Sequence, residues 1–169
     1  MIYWLLHGFV TAIFLRAGIG KLMGRSDFYW QLRASAVLHR RLVPAVSYAV
    51  PLLELCAGVG ILLPAVAGAW AAILAAGMLA VFTSYSLWIT VTGRKVQCFC
   101  FGHNDGAIGW PTVLRNSLLL GTVALAAASP VDRLPEEAVF LSVVNGLTAS
   151  LLFVGAFQMA SMRKELAQP

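Results

Sequence analysis

Five long apolar stretches constrain the fold of this chain more than any other feature. An α-helix needs roughly 20 mostly apolar residues to cross about 30 Å of hydrocarbon. Hydrophobic residues make up 60% of the sequence and charged residues only 11%, which is too apolar for a water-exposed surface. The predicted spans cover approximately residues 2–22, 43–63, 66–90, 111–129 and 137–162. The sequence therefore predicts an all-α integral membrane protein in a lipid bilayer, with residues 1–169 forming a single domain.

The connections between these stretches indicate how the helices are arranged. Only Pro64 and Ala65 separate the second and third spans, which predicts an antiparallel hairpin. The longer first connection carries apolar Phe28 and Leu32 at helical spacing among several arginines, a pattern typical of a short helix on the membrane surface. We expect a bundle of four to five transmembrane helices with one short interfacial helix after the first span.

The positions of lysine and arginine predict the orientation in the membrane. With the amino terminus outside, ten of the eleven basic residues in loops or at span ends lie on the cytoplasmic side, as short cytoplasmic loops require. The formal net charge of +5 is then a topology signal, and no nucleic-acid partner is needed to explain it. We expect a multi-pass protein of the bacterial cytoplasmic (inner) membrane, with the loop of residues 91–110 in the cytoplasm.

That loop contains two of the three cysteines, one residue apart, in the segment VQCFCFGH. Cys98 and Cys100 are close enough to form a disulfide, although the small ring makes such a bond strained and easily reduced. The nearby basic residues Arg94, Lys95 and His103 favour the reactive thiolate. The spacing therefore favours a redox-active pair over two structural thiols.

Metal binding is an alternative function for the same loop. Cys98, Cys100 and His103 form a Cys-x-Cys-x-x-His set of ligands suited to zinc or copper. A closed tetrahedral site needs a fourth ligand, for which Asp105 and His39 are candidates. A metal-binding membrane protein therefore stays open beside the redox interpretation, as does a structural subunit of an oxidoreductase complex.

Polar residues within the spans are candidates for supporting roles, because charge at membrane depth is costly. Glu54 is near the middle of the second span, and Arg16 in the first span lies within reach in depth, so we expect the two to pair. Lys21 is nearer the surface, where it either extends to the lipid headgroups or points toward the cysteine loop. We expect Cys56 to pack in the core, with a relay role only if the cysteine loop enters the bundle.

Several short motifs between roughly residues 12 and 120 resemble one known family. They are Ala17-Gly18-Ile19-Gly20-Lys21-Leu22, Pro51-x-x-Glu54 with Gly58, Val81-Phe82, Gly93-Arg94, Cys98-x-Cys100-Phe101-Gly102, Trp110 and Val113-Leu114-Arg115-Asn116. The pattern is similar to that of the methylamine utilisation protein MauE family, part of the DoxX-like group of small helical membrane proteins. Phe99 stands where the family commonly has glycine between the cysteines.

The resemblance implies a redox-associated membrane protein that assists the maturation of disulfide-containing exported proteins together with a thioredoxin-like partner. Methylamine dehydrogenase is the namesake client of the family, and the resemblance leaves open which client is served here. It also leaves open whether the chain is itself a thiol-disulfide oxidoreductase. The sequence requires no cofactor beyond a redox-active disulfide, while the DoxX-like resemblance adds a quinone-linked activity as an alternative.

Overall fold

Helices account for nearly all of the structure, a computed structural model that describes residues 2–35, 37–63, 65–98, 106–128, 144–153, 155–156 and 159. The helices are α1 (Ile2–Met23), α2 (Arg25–Ala34), α3 (Val43–Gly60), α4 (Ala65–Val91), α5 (Trp110–Ala127) and α6 (Val144–Phe153). Within these ranges the only β-type pairing is an isolated antiparallel bridge between Gln97 and Ala107. The predicted all-α fold is confirmed.

Among the described residues, three helices are long and apolar enough to cross a membrane. They comprise Leu5–Met23 of α1, Val43–Gly60 of α3 and Ala67–Val91 of α4, and they match the first three predicted spans. Helix α5 coincides with the fourth predicted span, but Arg115 and Asn116 reduce its hydropathy, and it does not meet the same criterion. Of the fifth predicted span, the structure describes mainly the ten-residue helix α6.

Helices α1, α3, α4 and α5 form a bundle and make the most extensive helix–helix contacts among the described residues. Helix α1 packs against α3 and α5, and α4 packs against α3 and α5. Apolar side chains from all four helices form one buried core, which includes Val10, Phe14, Ala57, Ala75 and Val123. Helix α6 joins α1 through an edge-to-face contact between Phe9 and Phe153, whose ring centroids are 5.6 Å apart.

Helices α1 and α3 approach closely because glycines lie at their contact. A Cβ atom on Gly18 would lie 2.9 Å from the carbonyl oxygen of Pro51, which is closer than two such atoms can pack. A Cβ atom on Gly58 would meet the Phe14 side chain at 3.2 Å. Small residues at a helix interface allow such close backbone approach. The contact brings Lys21, one turn after Gly18, toward Glu54, one turn after Pro51.

The short helix predicted after the first span is present as α2. It buries Phe28 against the bundle and leaves Trp30 and Arg33 exposed, and its main neighbour is α3. This amphipathic pattern explains why the segment is helical although it is too short and too polar to span a membrane. Its position at the membrane surface stays a prediction.

Candidate functional site: a buried ion pair and a buried thiol

A buried ion pair joins α1 and α3. The Lys21 ammonium donates hydrogen bonds to both carboxylate oxygens of Glu54, at 2.6 Å and 2.9 Å. Lys21 is 1% exposed and Glu54 is 4% exposed. The ammonium also lies 5.8 Å from the Phe28 ring centroid and 5.5 Å from that of Phe82. Each charge offsets the cost of burying the other, and the two rings provide further cation-π stabilisation.

The prediction that Arg16 pairs with Glu54 is wrong, because the partner of Glu54 is Lys21. Arg16 lies at a depth in the membrane from which it could reach Glu54. Its side chain, however, points in a different direction around α1. Arg16 is two residues from Gly18, about 200° around the helix, whereas Lys21 is three residues from Gly18 and faces nearly the same way. Of the two alternatives for Lys21, extension to the lipid headgroups is excluded, because Lys21 is fully buried and its ammonium is bonded to Glu54.

A small cavity of about 40 Å³ adjoins the ion pair. Its lining includes Lys21 and Glu54 together with Phe14, Phe82 and Asn116. Asn116 on α5 is 3% exposed, and its Nδ2 has no hydrogen-bond partner among the described residues. The cavity has room for a water molecule beside the polar groups of Lys21, Glu54 and Asn116, although most of its lining is apolar. The sequence signal for this residue is the polar pair Arg115-Asn116 inside an otherwise apolar stretch, although nothing in the sequence assigned the pair to a site.

A short backbone hairpin holds Cys98. We call residues 96–98 and 106–108 the cysteine hairpin. The Cys98 N–H donates to the Gly106 carbonyl at 2.8 Å, and the Ile108 N–H donates to the Val96 carbonyl at 2.8 Å. Gly106 has a φ of +82°, a conformation that favours glycine. These bonds fix the backbone on both sides of Cys98.

Three helices contact the cysteine hairpin. The Gln31 side chain on α2 donates from Nε2 to the Gln97 carbonyl at 2.6 Å. Cys98 and Ile108 pack with Ile89 of α4 in a small buried cluster. From α5, Arg115 donates from Nη2 to the Cys98 sulfur at 3.7 Å. The hairpin is therefore docked onto the end of the bundle.

The contact between Cys98 and Arg115 gives the thiol a charged partner in a buried setting. Cys98 is 1% exposed and Arg115 is 4% exposed. A guanidinium beside a thiol stabilises its thiolate form. The sequence suggested Arg94 and Lys95 for this role, but both side chains are exposed, and the Arg94 guanidinium lies 4.6 Å from the Trp88 ring centroid. Arg115 is the cation that the loop sequence alone did not reveal.

The remaining predicted site residues divide into one correction and two undescribed positions. Cys56 is exposed, so the expectation that it packs in the core is wrong. It follows Glu54 by two residues, about 200° around α3, and therefore faces away from the ion pair. Cys100 and His103 lie outside the described residues, so the cysteine pair and the metal set stay predictions. Within the described ranges, no three His, Cys, Asp or Glu residues are grouped as metal ligands.

A larger cavity of about 670 Å³ lies between α2, α3 and α4 and extends to the cysteine hairpin. Most of its lining is apolar, with Gln31, Ser35, Tyr85 and Ser86 as polar members. Lys21 lines both this cavity and the small one. Lys21 and the hairpin thus border the same cavity, which is partly open because Ile73 and Val81 in its lining are exposed.

These features define an all-α, multi-pass membrane protein with a polar site inside an apolar helical bundle. The family model "Methylamine utilisation protein MauE" matches residues 1–129, and the chain belongs to this family. It is 31% identical over 163 residues to a methylamine utilization protein MauE of Paracoccus denitrificans, covering 92% of this chain and 86% of the relative. It is 34% identical over 135 residues to the protein of the same name from Paracoccus versutus, covering 76% of this chain and 72% of the relative. No solved structure matches.

Proposed function

We propose that the protein performs or supports thiol-disulfide exchange through Cys98 and Cys100, and so assists the maturation of an exported, disulfide-containing client. The observation that carries this proposal is the Arg115 guanidinium, 3.7 Å from the buried Cys98 sulfur. Such a partner favours the thiolate, which is the form that attacks a disulfide. The name shared by the relatives, methylamine utilization protein, supports a client of the methylamine dehydrogenase type.

The burial of Cys98 suggests a division of roles between the two thiols. A partner protein cannot contact a sulfur that is 1% exposed. We therefore assign the first exchange to Cys100 and the resolving step to Cys98. A thioredoxin-like partner forms a mixed disulfide with Cys100. The Cys98 thiolate then displaces the partner thiolate, and the Cys98-Cys100 disulfide forms as two electrons pass to the partner; the reverse sequence returns them.

We further propose that this site faces the cytoplasm, with the amino terminus outside the cytoplasmic membrane. Three guanidinium groups near the cysteine hairpin end of the bundle lie over aromatic rings, a pairing typical of the boundary between membrane and water. They are Arg25 at 3.7 Å from the Tyr48 centroid, Arg33 at 5.2 Å from Trp30 and Arg94 at 4.6 Å from Trp88. In this orientation the thioredoxin-like partner that reacts with Cys100 belongs to a reducing cytoplasmic pool, and the electron equivalents of that pool serve a further protein across the membrane.

Replacing the cysteines one at a time tests the exchange function. Client maturation, measured as the yield of correctly bonded, active client in cells that depend on this protein, should be lost with Cys98→Ser and with Cys100→Ser. Cys56→Ser is the matched control and should retain maturation, because Cys56 is exposed on α3. Full maturation in the double variant would contradict the proposal, and release of zinc or copper from purified protein on thiol blocking would favour the metal alternative.

A further inference from the structure

We propose that the cavity of about 670 Å³ between α2, α3 and α4 binds a neutral amphiphile of the bilayer. Its polar head donates a hydrogen bond to Gln31, and its apolar tail lies between α3 and α4. This binding site is independent of thiol exchange at Cys98, because it rests on the shape and the polar groups of the cavity. It is distinct from the small cavity beside Asn116.

The size and lining of the cavity suit an apolar chain. Its volume of about 670 Å³ lies within the range of about 300 to 1,000 Å³ typical of small-molecule sites. The tail end is lined by aliphatic side chains of α3 and α4, among them Val50, Leu53, Ile73 and Leu74. Gly77 lines the same wall, and a Cβ atom placed there would meet no atom within 4 Å. The space beside Gly77 is therefore open to a ligand.

The charge of the cavity selects a neutral head. Lys21 is the one charged residue of the cavity lining, within the ranges that the structure describes. Its charge is already balanced by Glu54, at 2.6 Å. A charged head would enter the cavity without a counter-charge, and an unpaired buried charge is strongly unfavourable. An anionic phospholipid head is thereby disfavoured, and a zwitterionic head would lose the hydration of both of its charges in this apolar lining.

The amide of Gln31 selects a head that donates a hydrogen bond. Its Nε2 is committed to the Gln97 carbonyl, and its Oε1 is buried with no hydrogen-bond partner among the described residues. A buried acceptor is stabilised by a donor, and a hydroxyl group on a ligand provides one. The rings of Phe28 and Phe82 border the same end of the cavity and can pack on a flat head. A hydroquinone with a prenyl chain and a diacylglycerol both supply a neutral hydroxyl head and an apolar tail.

A glycine variant designed to fill the cavity tests this site. Gly77→Leu places a side chain in the open space, and leucine also favours the helix more than glycine does. Gly121→Leu is the matched control, since a Cβ atom at Gly121 also meets nothing within 4 Å and Gly121 does not line the cavity. Each protein is incorporated into vesicles of phosphatidylcholine and phosphatidylglycerol containing decylubiquinol or dioleoylglycerol. Native mass spectrometry then measures the bound ligand.

We expect a one-to-one adduct with wild-type protein and with Gly121→Leu, and at least tenfold less adduct with Gly77→Leu. Gln31→Leu should weaken the adduct without filling the cavity, which separates loss of the hydrogen bond from loss of space. Whether decylubiquinol or dioleoylglycerol forms the adduct identifies the bound amphiphile as a quinol or a diacylglycerol. Equal adducts in wild-type and Gly77→Leu protein, or adducts of the charged phospholipids alone, would overturn the proposal.

Discussion

Lys21 and Glu54 form a buried ion pair that links two helices of the bundle. The ammonium and the carboxylate are both buried, and burying either charge without the other would be far more costly than burying the pair. Their neighbour Asn116 lines the small cavity beside them, so a water molecule there would have both charged and amide partners. The pair is therefore sensitive to any change that leaves one charge alone.

Replacing Glu54 with glutamine should lower the free energy of unfolding by roughly 3 to 5 kcal/mol, because Lys21 is then buried without its counter-charge. Lys21→Met with Glu54→Met should recover much of this loss, since no charge is left unpaired. Unfolding in mixed micelles, followed by circular dichroism, measures both variants. Arg16→Met with Glu54→Met is the control and should not recover stability; strictly additive losses in the Lys21 and Glu54 double variant would refute the coupling.

At the cysteine hairpin, the single residue Arg115 provides the charge beside the Cys98 thiol. Arg115→Met should slow alkylation of Cys98 by a small reagent at neutral pH by about tenfold, because an opposite charge within about 4 to 6 Å favours the ionised form by at least that factor. Arg115→Lys should restore part of the rate. Arg94→Met is the matched control, since its guanidinium lies over Trp88. Unchanged alkylation of Cys98 in Arg115→Met, with Cys56→Ser and Cys100→Ser in the background, would remove Arg115 from the site.

At the scale of helices, the contact between α1 and α3 positions the ion pair. Gly18 is in contact with the Pro51 carbonyl, and Gly58 packs against Phe14. Close backbone contact at these two positions keeps Lys21 within hydrogen-bonding distance of Glu54. The site thus depends on glycines that carry no chemistry of their own.

Gly18→Ala should destabilise the protein by about 1 to 3 kcal/mol, since the added methyl group overpacks the interface. It should also weaken the coupling between Lys21 and Glu54, which a double-variant cycle measures. Gly121→Ala is the control, because its added methyl group meets no atom within 4 Å. Equal stability of the Gly18 and Gly121 variants would show that the two helices tolerate a wider separation.

The helices were predictable from the sequence, whereas the contacts of the site were not. Long apolar stretches indicate the positions of α1, α3, α4 and α5 because hydrocarbon thickness sets helix length. The partner of Glu54 was missed because depth along a helix does not specify which way a side chain points. Arg115 was missed because it lies 17 residues from Cys98 and meets it only after the hairpin docks on α5.

At the scale of the whole molecule, the chemistry gathers at one end of the bundle. Helix α2, the cysteine hairpin and the start of α5 meet there, and the large cavity extends from this end to the buried ion pair. A partner protein would approach at this end, while an amphiphile would enter from the bilayer between α3 and α4. Thiol-disulfide exchange with a partner protein can therefore take place while a ligand occupies the cavity.

Trapping of a mixed disulfide in cells tests the central claim most directly. In Cys98→Ser protein the resolving thiol is absent, so Cys100 should remain bonded to a thioredoxin-like partner, which mass spectrometry identifies after acid quenching and non-reducing electrophoresis. Cys100→Ser protein should accumulate far less of this species, because Cys98 is buried. Thiol-disulfide exchange at Cys100 should therefore give a reducible adduct in Cys98→Ser protein. No adduct in either variant, together with normal client maturation when both cysteines are replaced, would contradict it.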